Sequence, residues 1–261
     1  MTGYEAEEVI GQNPRILQSG QTPKETHLEM WDKVANGQMW HGELINKRKN
    51  GEIYYEDSHI APVRNESGVI THFVATKVDI TDRKAMEEQL KHLGHYDVLT
   101  DMPNRTLFFD RLKQALVAAK RDNNHLALLY IDLDKFKPIN DEFGHHVGDQ
   151  LLVEVAKRMQ QCVRESDTVA RQGGDEFVIL LPKVETKQDA ILVAEKIRHS
   201  LNQPFELIGR KMYISSSTGI VVYPEHGVDE ETLTKNADIA MYQVKKDGRN
   251  AVILFDSDMA R

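Results

Sequence analysis

"LALLYIDLDKF", residues 126–136, is an almost unbroken apolar run that ends in two acids, Asp132 and Asp134. A run without polar alternation fits a central strand covered on both faces. Residues two apart on a strand point to one side, so these carboxylates leave the strand end together. Acids at the carboxyl end of a central strand usually face a site. For Asp134, capping of the following turn stays open beside that reading.

A second apolar run, "VARQGGDEFVILLP" (169–182), is broken by Gly173-Gly174 and continues through Asp175 and Glu176. Glycine permits the positive φ of a tight turn and close approach to the backbone, which predicts a hairpin here. Adjacent carboxylates on a turn repel each other and gain nothing from a core. They are either solvated loop residues or ligands of a cation. If the hairpin pairs beside the Asp132 strand, Asp175 and Asp132 meet, and without a cation each raises the pKa of the other. Hard oxygen donors of this kind suit magnesium, which is typically shared with substrate phosphates.

Working outward, a helix is predicted from about Asn104, burying Phe108, Leu112, Ala115, Leu116 and Ala119. Another carries Leu152, Val155, Ala156, Met159 and Val163 on one stripe, with Cys162 on its apolar face. After the hairpin come a helix "DAILVAEKIRHSL", a strand "MYISSSTGIVVYP", a helix "LTKNADIAMYQVKK" and a strand "NAVILF". The core order β-α-β-β-α-β, with extra elements, predicts an α/β (α+β) domain of the ferredoxin-like or palm type. Its central antiparallel sheet is flanked by helices.

Upstream, "QMWHGELINKR", "GEIYYEDSHIAPVR" and "GVITHFVATKVDIT" read as three antiparallel strands separated by turn signals. A short helical region, "PKETHLEMWDKVANG", precedes them. The charged stretch "DRKAMEEQLKHLGHYD" then reads as a helical linker, with Met86, Leu90 and Leu93 at coiled-coil spacing. The expected organisation is a sensor segment at 1–81, a linker at 82–96 and a catalytic domain at 97–261.

Composition excludes several classes. A net charge of −8 argues against a general nucleic-acid binder. No run reaches the length of a membrane-spanning helix, and the start lacks the basic and apolar parts of a signal peptide. The single Cys162 forms no internal disulfide. Together these predict a cytoplasmic protein without a membrane segment. His145-His146 has no further ligand at zinc spacing.

Five blocks in order carry a resemblance: "DVLTDMPNR" (97–105), "DLDKFKPINDEFGHHVGDQLL" (132–152), "RESDTVARQGGDEF" (164–177), "SSTGI" (216–220) and "MYQVKKDGRN" (241–250). Together they resemble the GGDEF family of diguanylate cyclases. The resemblance implies condensation of two GTP into cyclic di-GMP with release of pyrophosphate, by a homodimer. It implies Mg2+ (or Mn2+) on Asp132, Asp175 and the Leu133 carbonyl, with Asp175 and Glu176 as catalytic acids. Asn140 and Asp149 match guanine-recognising positions and His145 a substrate contact, while Lys137, Lys245 and Arg249 match residues that hold the triphosphate. Asp149 can accept from guanine N1 and N2, and Asn140 offers both donor and acceptor. Arg164 and Asp167, in "RESD", match an inhibitory site for the product cyclic di-GMP; a local ion pair is the plainer alternative. The rival function is a non-catalytic cyclic di-GMP receptor that signals through the linker.

Residues 1–81 resemble the later part of a PAS domain, through "TGYEAEEVIGQNPRILQSGQTP", the three strands and the "DIT" exit at 79–81. That resemblance implies a truncated PAS segment, whose usual first strands precede "TGY". The "NPRILQSG" and "WHGE" segments are similar to those of some flavin-binding PAS domains. A flavin therefore stands beside the cofactor-free reading, in which the segment only mediates dimerisation.

Overall fold

The apolar run at 126–134 becomes the middle strand of a five-stranded sheet, in a computed structural model that describes residues 1–260. The chain divides into two units, residues 1–91 and residues 92 onward.

The first unit opens with a short helix α1 (Ala6–Val9), a 3-10 turn at Pro14–Leu17 and helix α2 (Lys24–Ala35). Strands β1 (Trp40–Lys47), β2 (Ile53–Arg64) and β3 (Ile70–Asp79) follow as an antiparallel sheet in the order β1-β2-β3. Met30 and Val34 of α2 pack on Trp40 and Leu44 of β1, which buries one side of the strand and leaves its alternate residues outward. A buried Glu56 accepts hydrogen bonds from the Tyr54 hydroxyl (3.0 Å), Ser58 Oγ (2.8 Å) and Lys77 Nζ (2.7 Å). This satisfies the carboxylate, as burial of a charge demands. Helix α3 (Thr81–His95) then leaves the unit with Met86, Leu90 and Leu93 exposed.

The second unit holds α4 (Arg105–Asp122), β4 (His125–Asp134), α5 (Phe136–Phe143), α6 (His145–Cys162), β5 (Thr168–Gly173) and β6 (Glu176–Val184). It continues with α7 (Lys187–Leu201), β7 (Phe205–Leu207), β8 (Arg210–Met212), β9 (Ser215–Tyr223), α8 (Glu230–Lys246) and β10 (Ala251–Leu254). The sheet order is β10-β9-β4-β6-β5. Alternate residues of β4 enter two separate cores. Leu129, Ile131 and Leu133 join a cluster with Leu151, Val155 and Met159 of α6 and Ile197 of α7. Leu126 and Leu128 join Phe108 and Leu112 of α4 and Leu233 and Ala237 of α8. The strand is therefore apolar on both faces, as its composition predicts.

Three expectations need correction. The central sheet is mixed rather than antiparallel, because β10 runs parallel to β9, and α8 supplies the crossover that a parallel pair requires. "MYISSSTGIVVYP" is two elements: Met212 ends the small β7-β8 hairpin, Tyr213 lies exposed, and β9 starts at Ser215. Val163 does not continue the α6 stripe, since it caps the helix in an extended conformation. Cys162, the last residue of α6, is buried with its Sγ 4.0 Å from the Lys196 carbonyl. Among the described residues, no helix is long and apolar enough to cross a membrane.

Candidate active site

The hairpin does lie beside the Asp132 strand. β6 pairs antiparallel with β4, which puts Glu176 opposite Asp132, and the Leu133 N–H donates to the Asp175 carbonyl at 3.2 Å. Gly173 (φ +144°) and Gly174 (φ +54°) adopt the backbone that turns the chain sharply enough to do this. The last turn of α8 then delivers Lys245, whose Nζ lies 2.6 Å from Asp132 Oδ2. Burial pushes the Asp132 carboxyl above its ordinary value; Lys245 pulls it back, and the charges of Asp175 and Glu176 push it up again. The arrangement is a half-buried cluster of acids with one cation at its edge.

Asp134 is divided from this cluster by its partners, not by its direction. Its carboxylate accepts from Ser215 Oγ (2.6 Å), Ser217 Oγ (2.7 Å) and the Asn250 N–H (3.1 Å). It thereby joins the start of β9 to the segment that follows α8. Arg249, exposed and in the left-handed region (φ +67°), lies 4.0 Å from Asp134, and its N–H caps α8 by donating to the Val244 carbonyl.

The residues matched to guanine recognition form a second group where α5 meets α6. Asn140 Oδ1 is buried without a hydrogen-bond partner. It lies where a side chain at position 148 would put its Cβ, 1.8 Å away, so Gly148 is what admits it. His145 and Asp149 stand exposed on α6, one turn apart, and Lys137 is exposed on α5. Arg164 and Asp167 make a third group beside a groove of about 800 Å3 that also takes in Asp189 and Lys196. Asp167 does not ion-pair with the Arg164 guanidinium: its Oδ2 accepts from the Arg164 backbone N–H at 2.8 Å. The plain ion-pair reading of "RESD" is thus replaced by a turn that leaves the guanidinium exposed beside the groove.

Sequence reading missed Arg171. Its Nε and Nη2 donate to the Gly174 carbonyl (3.0 and 2.8 Å), and its Nη1 reaches Asp97 Oδ1 at 2.8 Å. The same Asp97 oxygen accepts from Thr100, and Asn104 bonds the carbonyls of Gly94 and His95 at the end of α3. Two sets of hydrogen bonds, joined only through the backbone of residues 95–104, therefore tie the end of α3 and the turn that carries Asp175 to one segment. Only its place two residues before Gly173 could have singled Arg171 out, and arginine on a strand end is ordinarily solvated.

Burial alone would push the Asp97 carboxyl up, but the bonds from Thr100 and Arg171 together bring it below its ordinary value. A depressed folded pKa contributes stability above the unfolded value, and that contribution is lost as pH falls through the folded one. Arg171→Ala is expected to destabilise the second unit by about 2–3 kcal/mol at neutral pH, the scale of hydrogen bonds to charged groups. The gap to the wild type should narrow in acid. Urea unfolding at neutral pH and again in acid below the ordinary carboxylate range would check this, and a gap that does not change with pH would contradict it.

Comparisons with known proteins fall on the same two parts of the chain. The family described as "Diguanylate cyclase, GGDEF domain" matches residues 94–251, and a PAS domain family matches residues 1–82. The chain is 45% identical over 184 residues to the bifunctional diguanylate cyclase/cyclic di-GMP phosphodiesterase MucR of Pseudomonas aeruginosa, covering 70% of this chain and 27% of MucR. It is 44% identical over 163 residues to the diguanylate cyclase TpbB of the same species, covering 62% of this chain and 38% of TpbB. It thus spans well under half the length of these relatives. The solved GGDEF domain of TpbB superposes with a TM-score of 0.63 at 42% identity, over 64% of this chain and 98% of that one. The coiled coil and GGDEF domain of DgcB from Caulobacter crescentus, solved with c-di-GMP, gives 0.60 at 27% identity, over 67% and 93%.

Proposed function

Because the chain belongs to the GGDEF diguanylate cyclase family, we propose that it condenses two GTP into cyclic di-GMP, with sensing by its PAS segment. The observation that carries this is the meeting of Asp132, Asp175 and Glu176 beside Lys245. A non-catalytic receptor has no need of such acids, which disfavours that rival. The direct test is incubation with GTP and magnesium followed by separation of the nucleotides. Unconsumed GTP would refute the activity.

The donor set fits a hard divalent cation. Burial and the acidic neighbours disfavour the charged form of Asp132, a cost that a cation would relieve. Asp132, Asp175 and the Leu133 carbonyl would hold Mg2+ or Mn2+. Bound there, it would lower the pKa of the attacking hydroxyl and neutralise charge on the phosphoryl oxygens.

In the proposed reaction, the 3′-hydroxyl of each GTP attacks the α-phosphate of the other. Two phosphodiester bonds form, two pyrophosphates leave, and each hydroxyl gives up its proton. Asp175 is the assigned proton acceptor, with Glu176 the alternative. Lys245, released from Asp132, and Arg249 and Lys137 would balance charge on the triphosphate and departing pyrophosphate. Each domain holds one GTP, so a homodimer is required, and the exposed Met86, Leu90 and Leu93 of α3 offer a seam for it. In the PAS segment, the internally satisfied Tyr54–Glu56–Ser58 set favours a cofactor-free role over a flavin.

The unpartnered Asn140 Oδ1 and the exposed Asp149 support guanine selection, with His145 beside them on α6. Asp149→Ser is expected to weaken GTP use by roughly 1.5–3 kcal/mol, about ten- to a hundredfold, and to narrow the preference over ATP. Mixed-nucleotide assays with unchanged preference would refute the assignment.

The exposed Arg164, beside its groove, supports a product site. A guanidinium can donate two parallel bonds to guanine O6 and N7, worth about 1–3 kcal/mol in nucleic-acid recognition, and Asp167 can accept in return. Product there would favour an unproductive arrangement of two domains. Arg164→Ala should leave the initial rate unchanged but let product rise past the level at which the wild type stalls. Progress curves that plateau together, with GTP in excess, would exclude the site.

A further inference from the structure

The sheet of the first unit has one face turned away from α2, and three side chains with metal-binding atoms meet on it. His41 of β1 and His59 of β2 are register partners across the antiparallel pair. Asp57 lies two residues before His59, so it projects to the same side. The two imidazoles stack with centroids 4.0 Å apart and planes 14° apart. His41 Nε2 is 2.7 Å from Asp57 Oδ1. One ligand atom from each residue lies within 4.8 Å of the other two.

The cluster is open to solvent, with 60% of the His41 side chain and 27% of the Asp57 side chain exposed. Its surroundings also leave its charge available. The neighbouring acid Glu43, the register partner of Asp57, is taken up by Lys84 (2.6 Å) and Arg83 (3.4 Å) of α3. Among the described residues, Asp57 has only His41 as an ion-pair partner. Two neutral imidazoles and one carboxylate form the donor set of a borderline transition metal, unlike the all-oxygen set around Asp132.

We propose that His41, Asp57 and His59 bind a divalent cation of the zinc type, with water completing its coordination. Zinc holds nitrogen and oxygen ligands at about 2.0–2.2 Å, so tetrahedral ligand atoms stand about 3.3 Å apart. Side-chain rotation closes the cluster to that spacing, because all three already project from paired positions on two bonded strands. Bound metal would cross-link β1 to β2 next to Glu43, the residue on which the start of α3 is anchored. The site is independent of the cyclase reading.

The test is titration of the untagged full chain with Zn2+ against a chromophoric chelator, in excess Mg2+ to fill all-oxygen sites. The expected result is one strong equivalent per chain. His59→Ala and the isosteric Asp57→Asn should each weaken it at least about tenfold, the loss that even an outer-shell change can bring. Far-UV circular dichroism should stay unchanged, since these side chains carry none of the core. A wild type that binds no more Zn2+ than the His41→Ala/His59→Ala double variant would overturn the proposal. So would single variants that bind as tightly as the wild type.

Discussion

Asp175→Ala is expected to remove cyclic di-GMP formation, by at least about 10²–10³-fold, while leaving the protein folded. That loss is the scale on which a single electrostatic group aimed at a transition state acts, and here the same residue would also hold the metal. The fold should survive because Asp175 contributes to the sheet through its backbone. Its carbonyl accepts from Leu133 N–H, and alanine keeps that bond. The positive φ of the turn resides on Gly173 and Gly174, not on Asp175. Removing one like charge beside Asp132 also relieves repulsion, so the melting temperature should hold steady or rise slightly. Nucleotide separation and a thermal melt, run on the same preparation, check both halves. Undiminished product would remove Asp175 from the mechanism. Lost product with a lost melting transition would show it to be a structural residue instead.

The second large effect is expected at Asp134, two residues from Asp132 and different in role. Asp134→Ala leaves two serine hydroxyls and the Asn250 N–H without their acceptor; Ser217 is buried like Asp134, while Ser215 is half-buried and Asn250 exposed. A fully buried orphan costs about 1–3 kcal/mol, and because water partly satisfies Ser215 and Asn250 a total of roughly 3–5 kcal/mol is expected rather than three full penalties. Activity should fall with it, because the segment bearing Arg249 loses its anchor. Asp134→Asn keeps one acceptor oxygen and should recover part of the stability. Urea midpoints at constant slope measure this, and a wild-type midpoint for Asp134→Ala would show the three bonds to be dispensable.

The contrast between these neighbours marks where sequence reading stopped. Alternation puts Asp132 and Asp134 on one side of β4, and that much is local. Their roles are set by partners that alternation does not name: Lys245 for one, and Ser215, Ser217 and Asn250 for the other. Asn250 is 116 residues from Asp134, and Asp97 is 74 residues from Arg171. Nothing in a local window distinguishes a clamp such as Arg171 from a solvated arginine at a strand end.

What the sequence determined by itself is whatever has a short period or a backbone requirement. The doubly buried strand at 126–134, the turn at Gly173-Gly174 and the amphipathic helices belong here, because apolar burial and positive φ act residue by residue. The parallel placement of β10, the break between β8 and β9, the partition of Asp132 from Asp134 and the pairing of Arg171 with Asp97 were decided by tertiary structure. Each depends on which distant polar groups or strands share a neighbourhood once the core has closed. Hydrogen bonds and ion pairs select among such partners by distance and angle, and those do not exist until the chain has folded.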